Sequence, residues 1–222
     1  MNWKHYFSTS IGKKLQMGLT GLFLILFLIV HCYINAQIFW NDGGKKFEEA
    51  AHFMGTNFVI RTIEIGLFAF LFLHIFQGLA LWFKNMARRK TRYAVSAGSA
   101  TSPWYRRSMG ILGSLLLIFL AVHIPNFWAP NRFEQTFGAG ELPLYEMMRE
   151  EFQNPVIVFV YVFGCVALAW HLMHGFYSAF QTLGLTTHKY RKMINNIGVA
   201  FSIIVPLIFI LMPLAFYFHW ID

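Results

Sequence analysis

Along this chain the apolar residues come in long blocks, and short polar connections separate them. Read as membrane helices, the blocks predict five spans at roughly 16–39, 58–83, 109–129, 155–183 and 197–219, in a single membrane domain over residues 1–222. The clearest block runs from Arg61 to Lys84. It is long enough to cross the ~30 Å hydrocarbon core of a bilayer as a helix. The apolar run after the N-terminus extends past Val30 with no small-residue cleavage site, so it predicts a first span rather than a signal peptide. The expected fold class is an all-α membrane protein with five transmembrane helices in a bundle.

Charge orients that bundle. Thirteen of the 18 Lys and Arg lie in the N-terminal segment and in the second and fourth connections. By the positive-inside rule the N-terminus is cytoplasmic and the C-terminus outside. All ten acidic residues fall in the outer connections, at the C-terminus or in span two, where Glu64 stands as a carboxylate inside a span. The cytoplasmic face therefore carries no carboxylate, which suits an acidic soluble partner or anionic membrane lipid. A pI near 9.6 needs no nucleic acid to explain it, because topology already accounts for the basic residues. With 57% hydrophobic and 13% charged residues, the composition is that of a membrane protein. Cys32 and Cys165 lack the spacing of a metal or redox motif and read as small buried hydrophobes. Trp40, Trp104, Trp128 and Trp220 lie near span ends, as an interfacial belt would. Lys84, Arg106 and Arg107 face the lipid headgroups in the plainer reading, and could otherwise pair with the acidic groups of a cofactor.

Histidine carries the candidate chemistry. His5, His52 and His188 fall outside the spans and His219 at the end of span five. His31, His74 and His123 sit one each in spans one to three, and His171 and His174 both sit in span four. Ionisable groups inside a membrane are rare and mark function by default. At 1.5 Å per residue, His31 lies ~25 Å beyond Lys14 and His123 ~24 Å beyond Arg107, matching heights near the outer side. His74 lies ~15 Å from Lys84, nearer the cytoplasm. Depth slightly favours His174 as its counterpart, while local pattern favours His171. The pattern is His-x-x-x-Gly, shared by His74 with Gly78 and His171 with Gly175. A glycine one turn from the imidazole leaves room for a flat macrocycle. Two levels of paired histidines on facing helices can build two stacked bis-histidine haems, which leave no open position on iron and so serve electron transfer.

These segments resemble the diheme cytochrome b membrane anchor of succinate dehydrogenase and fumarate reductase, in its five-helix, single-chain bacterial form. The similar stretches are SIGKKLQMGLTGLFLILFLIVH, RTIEIGLFAFLFLHIFQGL, SMGILGSLLLIFLAVHIPNFW, HLMHGFYSAFQTLGL and PLIFILMPLAFYF. The resemblance implies two haem b groups, one on His74 and His171 nearer the cytoplasm and one on His31 and His123. It implies a flavoprotein and an iron–sulfur subunit docked on the cytoplasmic face of a bacterial inner membrane. It also implies menaquinone reacting near the outer haem, with dicarboxylate chemistry on another polypeptide. Some fumarate reductases of this family carry a glutamate two residues before the span-four ligand; here Ala169 stands there, which argues against a proton path of that type. Glu64, level with the outer pair, is either a partner of Arg61 or another interfacial polar group, or the ionisable group beside a quinone, whose pocket Trp40 or Trp128 could also line. The competing expectations are the cytochrome subunit of a hydrogenase or formate dehydrogenase, and a haem-free transporter whose histidines relay protons.

Overall fold

A computed structural model describes residues 9–87, 108–138 and 140–221. Lys4, His5, the basic run from Arg88 to Arg107 and Trp104 lie outside the described residues. The described chain is all helix, without a strand, and five helices are long and apolar enough to cross a membrane.

Helix α1 (Ser10–Asn35) starts where the Thr9 hydroxyl accepts the Gly12 amide at 3.1 Å, satisfying an N–H that the first helical turn leaves unpaired. It runs into a 3₁₀ turn, Ala36–Trp40. Next come α2 (Lys45–Thr56) and α3 (Phe58–Ala87). Helix α4 (Met109–His123) passes through a π turn, Ile124–Trp128, into α5 (Ala129–Phe137). Helix α6 (Leu144–Glu151) leads to α7 (Pro155–Thr182), and α8 (Arg191–Tyr217) closes the chain. The five spanning helices are α1, α3, α4 with α5, α7 and α8. Hydrocarbon offers backbone groups no partner, so long helices are the form these apolar runs must take.

Several expected boundaries need correction. The third span does not stop at 129: Pro125 lacks an N–H, the π turn absorbs the gap, and the helix continues to Phe137. Glu134 therefore joins Glu64 as a carboxylate within a span-length helix. The fifth span begins at Arg191, two turns before the apolar run, because the polar start of the helix is amphipathic. The connections expected at 40–57 and 130–154 are largely helical.

Helices α2 and α6 form a cap over one end of the bundle. Ile38, Phe47, Tyr145, Met148, Phe152, Phe216 and Ile221 bury one another there. Gly44 (φ +79°) is required at the entry to α2, since a Cβ would lie 2.2 Å from the Tyr145 ring. Glu48 accepts the Tyr145 amide at 2.6 Å. Burial, with the Glu141 and Glu146 carboxylates, pushes the Glu48 carboxyl up against the opposing effect of that amide. In the bundle, α1 packs on α3 and α7, α4 packs on α7 and α3, and α8 lies outside against α7 and α1. Helices α1, α3, α4 and α7 thus make a four-cornered bundle with α1 opposite α4 and α3 opposite α7.

Candidate cofactor site

Across the two diagonals of this bundle, four imidazoles meet in pairs. His31 of α1 and His123 of α4 stand with ring centroids 5.9 Å apart and planes at 83°. His74 of α3 and His171 of α7 stand at 6.3 Å and 68°. The first pair lies nearer the cap: Ile34, three residues after His31, and Val122, next to His123, pack on its core. Of the two span-four candidates, the ring placed against His74 is His171; His174 sits beside it on the same helix.

Neighbouring side chains fix these rings. Phe27, one turn before His31, stacks on it at 5.1 Å and 18°. Phe119, one turn before His123, does the same at 5.2 Å and 19°. Phe209 and Tyr161 close the sides at 5.4 and 5.7 Å. Asn35 lies 3.3 Å from His31 Nδ1, and its amide also donates to the His31 carbonyl at 2.8 Å. Thr20 Oγ1 lies 3.1 Å from His74 Nδ1. Nδ1 of His123 and of His171 is buried with no hydrogen-bond partner.

Glycines around the second pair leave open space at the helix surface, as Gly66 does elsewhere on α3. A Cβ on Gly175 would meet nothing within 4 Å, and one on Gly78 only Met17 Cε at 3.8 Å. Gly21 and Gly113 point at the rings themselves: a Cβ would lie 3.7 Å from His74 Cε1 and 4.0 Å from His171 Cε1. All four have space for at least a methyl group, whereas a Cβ on Gly164 would lie 2.5 Å from the Phe119 ring. The former leave room beside the rings, whereas the latter is a helix-packing contact.

The residues fit a haem better than a bare ion. Among the described residues no group of three or more His, Cys, Asp or Glu gathers to hold a metal, and each pair alone would supply two ligands. Two metal–nitrogen bonds of about 2 Å in line, with the ring radius added on each side, separate imidazole centres by roughly 6 Å. Both pairs show that spacing.

Glu64 lies in the second turn of α3, at its cap end. It accepts from Arg61 Nη1 at 2.8 Å and from Arg132 Nη2 at 2.9 and 3.1 Å, and the Trp128 indole also donates to it. The expected Arg61 partner is present, and Arg132 and Trp128 are additions. Arg132 also donates to Gln135, Gln135 to Glu141 at 2.9 Å, and Glu141 pairs with His52 at 2.5 Å. Cys32 and Cys165 are buried and free. Trp40 and Trp220 are exposed near helix ends, and His188 and His219 are exposed as well.

Spacing alone does not single out Thr20, Asn35 or the paired phenylalanines. A signal for the phenylalanines was nevertheless available. Residues 17–31, MGLTGLFLILFLIVH, and 109–123, MGILGSLLLIFLAVH, are identical at eight of fifteen positions, including both histidines, both phenylalanines and Gly21 with Gly113. No family model matches this chain, and neither the curated proteins nor the solved structures hold a match.

Proposed function

We propose that this chain is the diheme cytochrome b membrane anchor of a succinate:quinone oxidoreductase. The observation that supports it is the pairing of four intramembrane histidines across both diagonals of one bundle, at a spacing that suits one iron between each pair. His31 and His123 would hold one haem b, and His74 and His171 the other, and the open space at Gly78 and Gly175 would be the slot that admits the macrocycle. So held, the haems would supply single-electron transfer, since the paired imidazoles would leave no position for dioxygen. The polypeptide's own work is to hold the rings in line, keep water from them with Phe27, Phe119 and Phe209, and keep the two levels at fixed height.

The cap faces outward in this reading, and the opposite end, with Lys13, Lys14, Lys84, Lys189, Arg191 and Lys192, faces the cytoplasm of a bacterium. That basic face receives an iron–sulfur subunit and, beyond it, the flavoprotein that carries the dicarboxylate chemistry. Menaquinone reacts on the cap side, where Glu64 and Trp128 are candidates to meet its ring oxygens.

The test is ligand deletion in pairs. His31→Ala and His123→Ala should each remove the same haem, and His74→Ala and His171→Ala the other, leaving one per chain by pyridine haemochrome assay. His174→Ala should keep both. Four variants that all retain two haems would overturn the assignment.

A further inference from the structure

We infer that Thr20 is a positioning residue for His74, turning Nε2 of that ring toward His171 as a metal ligand. The inference rests on the haem reading above and extends it to a residue on a different helix. Thr20 Oγ1 lies 2.8 Å from the Gln16 carbonyl, 3.3 Å from the Met17 carbonyl and 3.1 Å from His74 Nδ1. A hydroxyl has one proton, and a carbonyl can only accept. The short contact to Gln16 takes that proton, so the hydroxyl oxygen is left to accept from His74 Nδ1–H. A neutral imidazole protonated at Nδ1 carries its lone pair on Nε2, which is the form a metal needs.

Burial makes this arrangement persistent. Thr20 is 1% exposed, so water does not compete for either bond. Gly21 follows it, and a Cβ there would already be in van der Waals contact with His74 Cε1 at 3.7 Å, so the glycine leaves that ring free to sit where Thr20 directs it. His171, across the bundle, has no hydrogen-bond partner at Nδ1. The pair is therefore unequal: one ring is held from a neighbouring helix and the other by packing. An acceptor on Nδ1–H also raises the basicity of the ligating nitrogen, which favours the oxidised metal and lowers the reduction potential of that haem alone.

The experiment is potentiometric titration of the full-length purified protein, with Thr20→Val, Thr20→Ala and Thr20→Ser beside the wild type. Val keeps the volume and removes the hydroxyl; Ala serves if the Val variant does not assemble. The expected result is an upward shift of one midpoint potential with the other unmoved, and a return toward the wild-type value in Thr20→Ser. Unmoved potentials in Val or Ala, equal movement of both, or failure of Ser to restore the shift would overturn the inference while leaving the two-haem assignment intact. A wild-type chain without haem would instead fail the reading on which it rests.

Discussion

Among single residues, Glu64 is the one whose neighbours say most. A lone carboxylate in an apolar run reads equally as an ion-pair partner or as an acceptor beside a quinone. In the folded chain it meets two guanidinium groups and an indole N–H. Arg132 comes from α5, some distance along the chain, in a stretch the apolar pattern assigns to a loop, so no local spacing reveals it. The Arg132 and Glu64 side chains are each 18% exposed. Breaking a fully buried pair by removing one partner costs roughly 3–5 kcal/mol, and partial exposure lowers that to on the order of 2 kcal/mol for Glu64→Gln. Thermal unfolding in detergent would read that loss. If the carboxylate also serves the quinone, the same variant should slow quinone-coupled oxidation of the reduced chain by about a hundredfold, with haem content unchanged. Unaltered quinone kinetics would leave Glu64 with the ion pair alone.

Two glycines on α7 separate packing from binding at the level of whole elements. Gly164 lets α7 approach α4, and a Cβ there would press on the near side of Phe119, the ring stacked on His123. Gly164→Ala should destabilise the bundle by about 1–3 kcal/mol through overpacking. Gly175 is open on the same test. In the bare chain Gly175→Ala should be neutral or stabilising by up to about 1 kcal/mol, since alanine is the better helix former. With a macrocycle in the slot, the added methyl would instead lower haem retention. Comparing thermal stability with haem content in the two variants distinguishes these outcomes, and a Gly175→Ala chain that keeps its full haem complement would argue against the slot. Helix ends were the least legible part of the sequence for a related reason. Pro125 and Pro130 signal a stop, yet one sits in a π turn and the other in the first turn of α5, where a missing N–H does least harm. The cap helices are short and amphipathic, so a search for apolar length passes over them.

For the whole molecule, the five spans and the four histidines could be read from sequence because hydrocarbon leaves long apolar helices as the only choice for the spans and makes an intramembrane imidazole conspicuous. Depth sorted the histidines into two levels but slightly favoured His174, whereas the His-x-x-x-Gly pattern favoured His171; the ring placed opposite His74 is that of His171. Each histidine faces its counterpart in the internal repeat, His31 with His123 and, through the shared His-x-x-x-Gly pattern, His74 with His171. Thr20 stayed hidden because its role depends on a neighbouring helix rather than on its own. The central claim is that these two pairs are two haem sites, and the most direct measurement is haem b per polypeptide on the purified, folded protein, with its reduced-minus-oxidised spectrum. Two low-spin haems per chain are predicted. A folded chain with none would contradict the account.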